Sequence, residues 1–108
     1  MKTPSNPKVS VRSATDISDA LSASIEQDGL VLTEEDLAPQ FFDLRTGFAG
    51  ELLQKFVNYG ARLAIVVPDP QAHGERFSEL VYEHRTHGVV RFTASEHDAR
   101  QWLSRQRS

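Results

Sequence analysis

Runs of apolar and polar residues change period along the chain, and each change marks an element. Lys8-Val9-Ser10-Val11-Arg12 alternates apolar with polar, which suits a half-exposed or edge strand. Ile17, Ala20, Leu21 and Ile25 then recur at helical spacing. Thr15 or Asp16 is placed to cap that helix, and Asp28-Gly29 to stop it with Gly29 in the left-handed conformation. Leu30-Val31-Leu32 is short and wholly apolar, as a buried strand is. Thr33 to Asp36 forms an acidic turn, and Pro39 bars a straight helix from running through it.

The second half repeats the alternation. Phe48, Ala49, Leu52, Leu53, Phe56 and Val57 make a broad stripe on a helix from about Gly47 to Asn58, closed by Gly60. Glu51 and Lys55 stand four apart on it with the carboxylate first, the favourable order. Leu63 to Val67 is apolar throughout, so burial on both faces in the middle of a parallel sheet is expected. Pro68-Asp69-Pro70 ends it. A third helix spans about Glu75 to Arg85, with Phe77, Leu80, Val81 and His84 on one side. Gly88 leads into a strand at Val89 to Thr93. Ser95 starts a last helix with Asp98 in the capping-box position and Ala99, Trp102 and Leu103 facing inward.

Strand and helix thus alternate four times. The pattern predicts an α/β fold of about four mainly parallel strands, with four helices packed on the sheet. One domain is expected over residues 8–108, behind a flexible tail at residues 1–7. In such sheets the working surface tends to lie at the carboxyl ends of the strands.

Composition narrows the function. The 108 residues are 39% apolar and 25% charged, enough for one core without disulfides or metals. A net charge of -3 gives no general basic field, so nucleic acid is not an expected partner. The absence of cysteine removes disulfides, thiol nucleophiles and cysteine-based zinc sites. No apolar run reaches the length of a membrane span, and Met1 to Pro7 does not resemble a secretory signal, so a cytoplasmic protein is expected. His84 and His87 lie three apart, with His73 and His97 elsewhere, and no familiar zinc spacing joins them. No phosphate loop, dinucleotide fingerprint or nucleophile elbow occurs, and neither cofactor nor metal is predicted.

One stretch concentrates the candidate chemistry. Residues 41–59 hold four of the six Phe and one of the two Tyr, around a turn of small and charged residues. Thr46 is placed either to cap the following helix or to accept a phosphate at its N-terminus. Asp43 is a turn carboxylate or a general base. Gly47 and Gly50 share a helical face, where close packing on the sheet, a ligand or a second subunit would account for them. Arg45 and Glu51 flank them. Asp43 and Glu51 are the only carboxylate pair in the stretch, and no nucleophile–base set accompanies them, so an enzyme is not expected.

The run FFDLRTGFAGELLQKFVNY, followed by RLAIVVPD, resembles the signature of an uncharacterised bacterial family of small stand-alone proteins. That family is similar to STAS domains, the fold of the anti-sigma factor antagonists. The resemblance covers roughly Gly29 to Leu103 and implies a STAS-like fold. It also implies that a strand leads into Asp43, with Thr46-Gly47 at the start of a helix. Two residues, Leu44 and Arg45, separate Asp43 from Thr46, where the antagonist pattern has one. The expected function is a non-enzymatic regulatory or protein-interaction module. It would work through the Asp43–Gly47 turn, with another protein or a second copy of the chain as partner. The alternative is a sensor or carrier of a small anion or metabolite, held at the Thr46-Gly47 helix N-terminus. Neither nucleic acid nor a membrane is an expected partner.

Overall fold

Three parallel strands in chain order form the sheet of the computed structural model, which describes residues 10–106. The elements are α1 (Ala14–Gln27), β1 (Leu30–Thr33), α2 (Phe48–Tyr59), β2 (Leu63–Val66), α3 (Glu75–Glu83), β3 (Val90–Thr93) and α4 (Glu96–Gln106). Short 3-10 turns at Glu34–Asp36, Pro39–Phe42 and Leu44–Thr46 fill the link from β1 to α2, and another at Pro70–His73 precedes α3. In register, Leu30 lies opposite Leu63 and Leu63 opposite Val90.

The pleat sends successive side chains to opposite faces. Leu30, Leu32, Leu63, Ile65, Val90 and Phe92 join the main core with α1, α2 and α3, around Ile17, Leu52, Phe56 and Phe77. Ala64 and Val66 face the other way, against Ala99 and Trp102 of α4, with Val31 and Leu103 beside them. Right-handed crossovers between strands laid down in the order 1-2-3 put both connecting helices on one face. The apolar back of β2 is then left for α4 to cover. All four residues of β2 are buried, as its unbroken apolar run predicts.

The sheet has three strands where four were expected. Val11 makes only an isolated parallel bridge to Leu37, with its N–H donating to the Asp36 carbonyl (2.7 Å) and its own carbonyl accepting from Ala38 (3.0 Å). Leu37 is hemmed in by 3-10 turns, and Pro39 has no N–H to extend a ladder. Lys8 and Val9, and with them the proposed tail, lie outside the described residues.

Helix ends also differ in detail. Ser13, not Thr15 or Asp16, is the N-cap residue of α1, and the Asp16 carboxylate accepts from the Arg12 N–H (2.9 Å). At the other end Asp28 itself takes the left-handed conformation (φ 62°, ψ 42°), while Gly29 sits at φ 134°. Ile25 is 57% exposed. The inward face of α1 is Ile17, Ala20, Leu21 and Ser24. Ser24 is tolerated there because its hydroxyl donates to the Arg62 carbonyl (2.7 Å). Val57 likewise stands partly out of the α2 stripe. Gly60 closes α2 in the left-handed conformation, its N–H bonded to the carbonyls of the last turn. Ser95 Oγ accepts the Asp98 N–H (3.1 Å) at the start of α4.

Candidate functional site

Between β1 and α2 the chain makes three tight turns in succession, each fixed by a different means. In the first, the buried Asp36 carboxylate accepts from the Thr33 N–H (2.9 Å) and hydroxyl (3.1 Å). In the second, Phe41 is fully buried, edge-on to Phe42 (5.2 Å between centroids) and Phe77 (5.9 Å). Phe41 anchors the segment to the core. Half-buried Phe42 lies against the His73 ring at 4.0 Å.

The third turn carries the predicted site. Asp43 Oδ1 accepts from the Arg45 N–H (3.1 Å) and Nε (3.0 Å), and Oδ2 accepts from Arg45 Nη2 (3.0 Å). The side-chain and backbone bonds from Arg45 hold the Asp43 carboxyl below its ordinary pKa, and the same pairing raises that of Arg45. A base at Asp43 would be weakened by this partner.

Thr46 does not occupy the N-cap position. That position falls to Gly47, whose φ of 78° suits a residue without a side chain. The Thr46 hydroxyl lies within donating distance of the Gln40 carbonyl (2.8 Å) and the Asp43 carbonyl (2.9 Å), and accepts from the Phe48 N–H (3.2 Å). It therefore ties the second turn, the third turn and the helix start together. The expected packing of Gly50 on the sheet is absent: Gly50 is exposed, and a Cβ there would meet nothing within 4 Å. Gly47 is equally open, and Glu51 is exposed on the next turn of the helix. The structure thus brings Asp43, Arg45, Thr46 and Gly47 into one unit, while Gly50 and Glu51 lie on the adjoining helix.

Sequence reasoning did not find what lies beside this unit. His73 Nε2 is 2.8 Å from Glu34 Oε2, joining the loops that leave β1 and β2, with Phe42 stacked on the ring. An open depression of about 490 Å³ separates the Asp43–Arg45 turn from the start of α3, with Phe42, His73, Glu75 and Arg76 in its walls. The position of both residues in loops after strands was the available signal. His84 and His87 serve locally. His84 Nδ1 bonds the Leu80 carbonyl (2.9 Å), and His87 Nδ1 accepts from the N–H groups of Val89 (3.1 Å) and Val90 (3.2 Å).

The family model described as Domain of unknown function (DUF4180) matches residues 3–103. The chain belongs to this family. The DUF4180 span takes in all three strands, the three turns and α4 as far as Leu103. No curated protein and no solved structure matches the chain at a significant level. Among the described residues, no helix is long and apolar enough to cross a membrane.

Proposed function

We propose that the protein is a non-enzymatic partner-binding module with a regulatory role. Its recognition surface is the Asp43–Gly47 turn and the exposed start of α2. The observation that carries this is the bare, open backbone at Gly47 and Gly50, beside a turn whose side chains are already locked to one another. Glycine near a helix start gives up as much as about 1 kcal/mol relative to Ala. No contact at Gly50 among the described residues offsets that, whereas close approach of another molecule would. A surface ordered before binding loses little side-chain freedom on association.

Thr46 fits this reading as a switch. A phosphate on its hydroxyl would replace three backbone contacts and open the turn. The STAS-like character of the fold belongs to the same proposal. Its support is the order Asp43, Thr46, Gly47 ahead of α2 and the terminal helix after β3. It departs from the implied pattern in that 3-10 turns, not a strand, lead into Asp43. The small-anion alternative has less support. Thr46 already takes the Phe48 N–H, and Asp43 already takes Arg45.

A photo-crosslinking residue placed at Arg45 in the intact protein, in its native cells, tests the proposal. A discrete crosslinked partner from position 45, absent when the probe sits at exposed Glu26 on α1, is the expected result. Identical patterns from both positions, or no crosslink from either, would overturn it.

A further inference from the structure

β3 is an edge strand, and the way its edge is walled is unlike anything at the Asp43 turn. The Leu63 N–H donates to the Val89 carbonyl and the Val67 N–H to the Thr93 carbonyl (both 2.9 Å). The odd-numbered residues of β3 therefore face β2. By the alternation of a parallel ladder, the N–H and carbonyl of Phe92 point to the open side. That side is a groove of about 520 Å³ between α3 and α4. Tyr82 and Arg85 form one wall, Trp102 and Arg105 the other, and Arg91 rises from the strand between them.

Three arginines line one slot without an ion pair of their own among the described residues. Arg85 lies over the Tyr82 ring (3.7 Å) and donates to the Tyr82 carbonyl. Arg91 lies near the Trp102 ring (5.0 Å), and its Nη2 donates to the His87 carbonyl (3.1 Å). Its Nε is buried with no acceptor among the described residues, as is Trp102 Nε1. Burial, and then the neighbouring Arg105 charge, lowers the pKa of Arg91. Among the described residues, Asp98 is the one acid in the lining.

We propose that this groove takes an acidic peptide segment in extended form, added to β3 as a further strand. Its backbone would bond Phe92, and its carboxylates would meet Arg85, Arg91 and Arg105. An edge with free backbone groups is a template for such pairing. Charge selects the occupant. Residues 1–9 of this chain carry Lys2 and Lys8 and no acid, so they do not suit the slot. A second copy paired edge to edge would bring the same three arginines into the slot again and add no acid beyond its own Asp98. The Val90 N–H on that edge is already bonded to His87 Nδ1, so Phe92 is the pairing point, on a strand of about 13 Å that spans a short motif. The site is separate from the Asp43–Gly47 surface and does not depend on it.

Panning a random dodecapeptide library on the full-length protein tests this. Enriched peptides should be acid-rich, and a selected peptide should slow hydrogen exchange at the Phe92 amide. Affinity should fall about tenfold in Arg85→Gln/Arg105→Gln and weaken as salt rises. Both positions are exposed, so a fold defect is not expected to mask the effect. Arg91→Gln should weaken binding further. Four results would each overturn the proposal: no acidic enrichment; enrichment indifferent to the arginine variants; a peptide-driven dimer in which β3 edges pair; or inorganic phosphate filling the site while no peptide protects Phe92.

Discussion

The Asp43 turn and the β3 groove differ in how far the protein satisfies its own polar groups. At the turn, Arg45 closes on Asp43 and the Thr46 hydroxyl engages backbone groups in both directions. At the groove, Arg91 Nε and Trp102 Nε1 are buried without acceptors among the described residues, and three cations share one slot. The first arrangement is a turn whose polar groups are already internally balanced. The second leaves donors and positive charge for something else to complete. Satisfied and unsatisfied polar groups are different bases for recognition, and the proposals for the turn and for the groove rest on one each.

Four changes probe the contrast. Phe41→Ala should have the largest effect, because it removes a fully buried ring that anchors the turns. A loss of about 3–5 kcal/mol in a urea titration is expected. A loss under about 1 kcal/mol would mean the turns hold without that anchor. Thr46→Val should cost about 1 kcal/mol by removing the hydroxyl that joins two turns to α2. An unchanged midpoint would show those bonds to be replaceable by water.

Asp43→Asn should act more weakly and in a pH-dependent way. The folded-state pKa of Asp43 is depressed, so its contribution is complete above the ordinary unfolded carboxylate pKa. It is lost as pH falls through the lowered folded value. The wild-type advantage over Asp43→Asn should therefore be seen at about pH 7 and shrink toward about pH 3. An advantage that grows on acidification would reverse the sign of the argument. Arg105→Gln should leave stability within about 0.5 kcal/mol, with any shift upward, because it relieves Arg91 of a neighbouring cation. A clear destabilisation would show that Arg105 is held by contacts of its own, and would erase the contrast with the turn.

Much of the fold was legible because side-chain period follows backbone conformation. The apolar run at Leu63 to Val67 announced a central strand, and its burial on both faces required cover on both. Ala99, Trp102 and Leu103 supply that cover on the far side. Gly60 and Ser95 marked ends that the structure keeps. The misses have local causes. Ile25 fits an apolar pattern, yet Ser24, seven residues after Ile17, is the one on the inward face, where its hydroxyl donates to the Arg62 carbonyl. Val9 and Val11 alternate as a strand does, yet Val11 meets a stretch bent by 3-10 turns and gains a single bridge. Thr46 has the residue type of an N-cap, but Gly47 can adopt the conformation that places it there instead.

Side-chain pattern alone makes the chain α/β, locates its central strand, and makes Asp43 to Gly47 a tight turn ahead of an amphipathic helix. Only packing shows that Gly50 faces open space, that Glu34 and His73 meet, and that Arg85, Arg91 and Arg105 line one groove. The physical reason is the same in each case. Periodicity records which way a side chain points from its own backbone, whereas what it meets depends on strand order and on which face each helix covers. Three arginines, one just past the end of α3, one on β3 and one on α4, look scattered in the chain. They become neighbours only because β3 ends the sheet, with α3 and α4 on opposite sides of its edge.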